Sequence, residues 1–233
     1  MKNIVVLTGA GISKESGINT FRDSDGLWEN HRVEDVANFD SWVKNPDLVR
    51  SFYNQRRKQV IEAEPNEAHK ELTRLEKYFN VNIITQNIDD FHERAGSSNI
   101  IHLHGEIKKV QSVRDPYYVR ELSGWELTEN HKDIYGEPLR PNIVWFGEAV
   151  PMIEPSVELC QKADIFIIIG TSLAVYPAAG LVNYTPSTAK KYLIDPKEVK
   201  GDLRGIKFIQ EMASVGVKRV VDEILLENKF FEN

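Results

Sequence analysis

The sequence predicts an α/β protein: a doubly wound parallel sheet with a small inserted module. Three observations carry that expectation. Short apolar runs at 4–7 and 165–169, rich in β-branched residues, read as strands buried on both faces. Stretches with apolar residues at three- and four-residue spacing fall between the strand-like runs, as helices covering a sheet would. The runs at 4–7, 81–85 and 165–169 each lead into glycine, amide or hydroxyl residues, and ligands collect at that end of an open α/β sheet.

The chain has 233 residues, of which 41% are hydrophobic, enough for one large or two unequal domains. A net charge of −6 and a pI near 5.6 argue against nucleic acid as a partner. Cys160 is the single cysteine, so no intrachain disulfide is possible. No run approaches the roughly 18 apolar residues of a membrane helix. The first strand begins almost at Met1, which predicts no signal or transit peptide and a cytoplasmic protein without a membrane partner.

The first strand, at 4–7, ends at a Thr-Gly turn. Gly9 and Gly11 follow, small residues that let a backbone approach a pyrophosphate before a short helix. A glycine-rich turn without a ligand is written the same way. Asn45, Pro46 and Asp47 start a helix over 45–61, stopped by Pro65. A second helix over 66–79 carries Leu72, Leu75 and Phe79 on its core face. The strand at 81–85 delivers Gln86, Asn87, Ile88 and Asp89, residue types that also cap turns. In the next strand, 99–105, His102 and His104 alternate with Ile101 and Leu103 and would share one face. His102 reads as structural.

Between 106 and 141 the periodicity decays, which predicts the small module. A strand over 141–146, followed by Gly147 and Glu148, and a helix over 153–162 come next, Cys160 being a small buried residue of that helix. The strand at 164–169 repeats the opening theme, with Gly170, Thr171 and Ser172 after it, and 173–180 leads into a helix. A further strand at 192–196 ends in Asp195, and a closing helix over 217–226 buries Val220, Val221, Ile224 and Leu225.

The block 9–28 narrows what the glycine pair leaves open. Its third glycine comes late, at Gly17, and Thr20, Phe21 and Arg22 follow on the way to Trp28. This block resembles the signature of the sirtuins, NAD-dependent protein deacylases. Gln86, Asn87, Ile88 and Asp89 with His92 to Gly96, His104 before Gly105, Phe146 with Gly147 and Glu148, and Val175 before Pro177 are similar to further stretches of that family. The resemblance covers roughly 5–226 and fails over the small module. It implies a single catalytic unit over 1–233. Its Rossmann-like large domain would comprise 1–30, 80–106 and 139–233, with a helical insertion at 31–79 and the small module at 107–138.

The resemblance also implies roles. NAD would be a co-substrate, held by Gly9, Ala10, Gly11, Ile12, Ser13, Thr20, Phe21, Arg22, Trp28, Gln86, Asn87, Ile88, Asp89, Gly170, Thr171, Ser172, Leu193, Ile194 and Asp195. His104 would be the general base, Asn87 would position ribose and water, and Asp89 would hold the nicotinamide carboxamide. Val144, Phe146, Gly147, Glu148 and Val175 would line the site of an acyl-lysine protein or peptide, bound by a monomer. NAD hydrolysis, ADP-ribosyl transfer and non-catalytic NAD sensing use the same cleft and remain open alternatives.

Two features refine this. Most sirtuins carry two cysteine pairs for structural zinc in the small module, and this chain has none of them, so no metal is expected. Tyr117, Tyr118, Leu122, Trp125, Leu127, Ile134 and Tyr135 would supply a replacement core. Tyr53 and Arg56, at i, i+3 on one helix face, suit a shared grip on a carboxylate. The alternative is a solvated basic face with Arg57 and Lys58. The segment 52–57 resembles sirtuins of the bacterial and mitochondrial desuccinylase type, which implies removal of succinyl- or malonyl-type groups as well as acetyl.

Overall fold

The structure is a computed structural model that describes residues 1–19, 27–28, 31–199 and 204–230. In chain order its strands are β1 (Asn3–Thr8), β2 (Leu27–Trp28), β3 (His31–Arg32), β4 (Asn80–Thr85), β5 (Ile100–His102), β6 (Gly105–Ser112), β7 (Val119–Glu121), β8 (Leu139–Ile143), β9 (Ile165–Ile169), β10 (Lys190–Ile194) and β11 (Ile206–Ile209). The helices are α1 (Val33–Val36), α2 (Phe39–Lys44), α3 (Pro46–Glu62), α4 (Glu67–Leu75), α5 (Phe91–Ala95), α6 (Ile153–Gln161) and α7 (Ala213–Glu227). Two 3-10 segments, Ala10–Ser16 and Ala178–Tyr184, complete the set.

β1 lies inside a six-stranded sheet of order β11-β10-β9-β1-β4-β5, and every pairing in it is parallel. The period-two geometry of a strand sorts its side chains. Ile4 and Val6 point to one face and pack with Leu72 and Leu75 of α4 and Val217, Val220, Val221 and Ile224 of α7. Val5 and Leu7 point to the other, with Cys160 of α6, Ala178 and Leu181. Both faces are covered, so the strand has to be apolar throughout. The doubly wound parallel sheet is the one the sequence predicts. α4, grouped with the helical insertion in the sequence, packs on this sheet beside α7.

Helix α3 spans almost the predicted range because its signals are local. The Asn45 side chain accepts from the Leu48 amide, Pro46 opens the first turn, and the helix stops at Ala63. Where tertiary pairing decides, the boundaries differ. The predicted strand 99–105 ends at His102, and Gly105 already belongs to β6. The predicted strand 141–146 stops with β8 at Ile143, and residues 144–148 turn away. β11 pairs with β10 at the sheet edge and is not among the strands expected from the sequence.

The small module is a three-stranded antiparallel sheet, β7-β6-β8, around Val110, Leu122, Leu127 and Leu139, with Tyr118 against them. The expected aromatic core is corrected here. Tyr117, Trp125, Ile134 and Tyr135 are exposed, Tyr117 to 94%. Polar pins from α3 hold the module instead. The Asn54 side chain forms a reciprocal pair with Leu127, donating to its carbonyl and accepting from its amide, both at 2.9 Å. Arg57 donates to the carbonyls of Ile107 (2.6 Å) and Trp125 (2.8 Å) and to Asn54 (2.8 Å). Arg57 is fully buried and Arg56 is 5% exposed, so the solvated basic face is not formed, and burial lowers the Arg57 pKa to about 10.

Replacing Asn54 by alanine strands the Leu127 amide and carbonyl in a buried setting. The expected loss is about 1–3 kcal/mol, seen as a lower urea midpoint with little change in m value.

Candidate active site

The carboxyl ends of β1, β4 and β9 meet at one corner of the sheet. Gly9 and Gly11 donate to the carbonyls of Ile169 and Gly170, both at 2.9 Å, so the first loop lies directly on the third. A Cβ on Gly11 would sit 2.6 Å from the Gly170 Cα, and one on Gly170 would sit 2.4 Å from the Ile12 nitrogen. These glycines are therefore required first by each other's backbone. Asn66 adds a clamp: its amide donates to the Ile12 carbonyl (2.8 Å) and the Ser16 hydroxyl (3.0 Å) while its oxygen caps α4. The sequence shows Asn66 only as a helix start, and nothing in it signals this second task.

A directed chain of hydrogen bonds forms the floor. The Asn87 amide donates to the Ser13 hydroxyl, and that hydroxyl donates to the Asp89 carboxylate, both at 3.0 Å. The Thr85 hydroxyl accepts from the Asn87 backbone amide at 3.0 Å, and Asp89 accepts from the Phe91 amide at 3.3 Å. Burial pushes the Asp89 pKa up to about 6, against the pull of the Ser13 and Phe91 bonds. Gln86 reaches across to Thr171, its amide 3.2 Å from the hydroxyl.

His104 lies just past the end of β5. Its Nδ1 is 3.0 Å from the Gln86 carbonyl, which only accepts, so Nδ1 carries the proton and Nε2 is the basic nitrogen. Burial lowers its pKa, and the Gln86 bond opposes that. Ala10 and Ser172 are half-buried at the same corner, and Ile12 is fully buried. The Ile88 carbonyl accepts from Ile107, the Ile194 carbonyl accepts from Gly170, Leu193 is buried, and Asp195 accepts from the Lys197 amide at 2.9 Å. Thr20, Phe21 and Arg22 lie outside the described residues. For Trp28 only its place in β2, opposite His31, is described.

The opposite wall is the turn after β8. The Val144 amide donates to the His104 carbonyl at 3.0 Å, tying that turn to the histidine. Phe146 pairs with the chain at Ala37 and Asn38 and is half-exposed. Glu148 accepts from the Trp145 amide and takes both guanidinium nitrogens of Arg140, at 2.8 and 2.9 Å. A shallow pocket of about 530 Å³, lined by Asn38, Phe39, Asp40, Phe146, Gly147 and Glu148, opens beside it. Val175 is half-buried, its carbonyl accepting from Ala179. Tyr53 is fully buried, its oxygen accepting from Trp145 Nε1 at 3.0 Å, and the Arg56 guanidinium reaches the Asn19 carbonyl at 3.4 Å. Burial raises the Tyr53 pKa, while the Trp145 bond and the Arg56 charge lower it. Trp145 and Arg140, which organise this wall, carried no signal in the sequence.

No three His, Cys, Asp or Glu side chains gather at metal-binding distance among the described residues. A Sir2 family model matches residues 9–177. An NAD-dependent protein deacylase of Bacteroides thetaiotaomicron is 56% identical over 226 residues, covering 94% of this chain and 97% of its own. A protein of the same name from Helicobacter pylori is 51% identical over 228 residues, covering 97% and 98%. Among solved structures, a Sir2 homolog–NAD complex superimposes with a TM-score of 0.87 at 36% identity, over 97% of this chain and 90% of that one. A Sir2 complex with a deacetylated p53 peptide and 3′-O-acetyl ADP ribose gives 0.78 at 30% identity, over 94% and 92%. The chain belongs to the Sir2 family and is a sirtuin-type enzyme.

Proposed function

We propose that the chain is an NAD-dependent protein-lysine deacylase that removes acetyl and succinyl- or malonyl-type groups, yielding nicotinamide and O-acyl-ADP-ribose. The observation that carries this reading is His104. Its tautomer leaves Nε2 basic, and it stands beside the Asn87–Ser13–Asp89 chain. NAD supplies a glycosidic bond to a cationic pyridinium, already a good leaving group. The protein's part is to place an acyl-lysine oxygen in line with that bond and to exclude water.

The polar set suits such a ligand. Asp89 offers an acceptor, or a donor when protonated, to a carboxamide, and Asn87 and Ser13 offer hydrogen bonds to ribose hydroxyls. His104 Nε2 takes the proton from the ribose hydroxyl that captures the acyl carbon. Thr20, Phe21, Arg22 and Trp28 would close the cofactor side, with Leu193, Ile194 and Asp195 at the adenosine end. Residues 144–148 and Val175 would hold the peptide backbone, which needs no particular sequence. Tyr53, a phenol that keeps a proton to donate, and Arg56 would grip a terminal carboxylate. We further propose that the enzyme works as a monomer and without zinc, the α3 pins standing in for the metal.

His104→Ala is expected to lower nicotinamide release about 10²–10⁴-fold while NAD still binds by calorimetry. In the wild type kcat/KM falls with acidity only as pH drops through the lowered His104 pKa, so the acid limb lies below about 6.5, the ordinary imidazole value. Arg56→Met is expected to reduce desuccinylation about 10–100-fold, equivalent to a charge-assisted bond, and to leave deacetylation nearly unchanged. Equal loss of both activities overturns the carboxylate grip. Dialysis against a chelator should leave Tm and turnover unchanged, whereas a structural zinc would contribute on the order of 10 kcal/mol. Mass analysis that finds free ADP-ribose and an intact acyl-peptide would replace deacylation with NAD hydrolysis.

A further inference from the structure

His102, a histidine with no part in the reaction outlined above, sits two residues before His104 and touches the turn that bears Asn87 and Asp89. Its two ring nitrogens face two different oxygens. Nδ1 is 3.2 Å from the Asn87 carbonyl, and Nε2 is 2.7 Å from a carboxylate oxygen of Glu93. A peptide carbonyl and an ionised carboxylate both accept and neither donates. The two bonds can therefore coexist only if both nitrogens carry protons, which makes the ring a cation. The side chain is 9% exposed, against 41% for Glu93, so one end of the pair is sheltered and the other touches water.

We propose that His102 is a positioning residue, an imidazolium tying the 87–89 turn to Glu93 of α5, and that loss of its proton sets the alkaline limb of the enzyme's activity. This rests on the roles given to Asn87 and Asp89 in the proposed function. When the ring loses a proton, one nitrogen presents a lone pair to an oxygen. The shorter, charge-assisted bond to Glu93 keeps its hydrogen, so the Nδ1 lone pair then opposes the Asn87 carbonyl, and the turn is released.

The charges facing His102 agree. Burial opposes its protonated form, but Glu93 on α5, Glu106 on β6 and the Asn87 carbonyl outweigh burial and hold it above the ordinary imidazole value. Glu93 is held below its own ordinary value, burial notwithstanding, by His102 and by Lys109 on β6. Lys109 also pairs with Glu106 at 2.7 Å, which tempers the latter's field. Asp89 in the turn is drawn downward by the His102 charge, a small effect beside its burial. On α5, His92 is kept neutral by burial first and by His69 and His102 next, so His102 is the ring of this group that carries charge. Because its pKa is raised in the folded state, the stabilisation is complete below the unfolded value of about 6.5 and is lost as pH rises through the folded one.

The test has two arms. Imidazole NMR titration of the wild type, with His102→Gln identifying the resonance, should place the His102 midpoint above about 6.5, and Glu93→Gln should lower it. The pH profile of kcat/KM on an acetyl-lysine peptide should show an alkaline limb at that midpoint. The limb should move to lower pH in Glu93→Gln and vanish in His102→Gln, whose amide donates to Asn87 without titrating. A His102 midpoint at or below the ordinary value, or an alkaline limb unmoved in both variants, overturns the proposal. A wild type that transfers no acyl group overturns the proposed function and the rate arm with it, while the NMR arm, which needs no turnover, still decides the charge of the ring.

Discussion

The site depends on a contact between two backbones. Gly9 and Gly11 lie against Gly170 and the start of the Thr171 turn so closely that a methyl group at Gly11 or Gly170 would overlap main-chain atoms. That contact is possible only because β1 and β9 are adjacent parallel strands in a fixed register, Thr8 opposite Ile169. It brings Ser13, on the first loop, within reach of Asn87 and Asp89, which leave from β4 on the other side of β1. Three corners of one sheet become a single polar floor because Gly9 and Gly11 of the middle loop have no side chains to keep the Gly170 turn away.

Electrostatics at that floor works by contrast. Burial pushes the Asp89 carboxyl up and the His104 imidazole down, and each change favours the neutral form. Hydrogen-bond direction then fixes what each group offers: the Gln86 carbonyl chooses the His104 tautomer, and the Ser13 hydroxyl donates toward Asp89. Beneath them Thr8 bonds Thr85 at 2.9 Å and lies 3.1 Å from His92 Nε2, so the two threonine hydroxyls under the turn are themselves partnered.

The small module shows how an inserted sheet can be held from outside. Its own core is four buried aliphatic residues with Tyr118, little for a module of its length. Asn54 and Arg57 of α3 bond the carbonyls of Ile107, Trp125 and Leu127, so the helix that carries Tyr53 and Arg56 also anchors the module. Any movement between that module and the helix is thus linked to the wall beside the proposed acyl end.

Much of this was legible in the chain itself. The burial of Ile4, Val5, Val6 and Leu7 on alternate faces follows from an apolar strand covered on both sides, and the span of α3 follows from Asn45, Pro46 and a capped start. The polar residues after β1, β4 and β9 could be gathered in advance, because in a parallel sheet those strand ends point the same way. What lies off that rule was not legible. The burial of Arg57, the second task of Asn66 and the bond from Trp145 to Tyr53 each join residues distant in sequence. Spacing carries no information about such pairs. The sequence by itself determined that the glycine, amide and hydroxyl residues after β1, β4 and β9 leave the same end of one sheet, since residue type and strand period are local properties. Only the tertiary structure decided which way each hydrogen bond runs and which rings carry protons, because those depend on the one or two atoms that folding brings opposite each group.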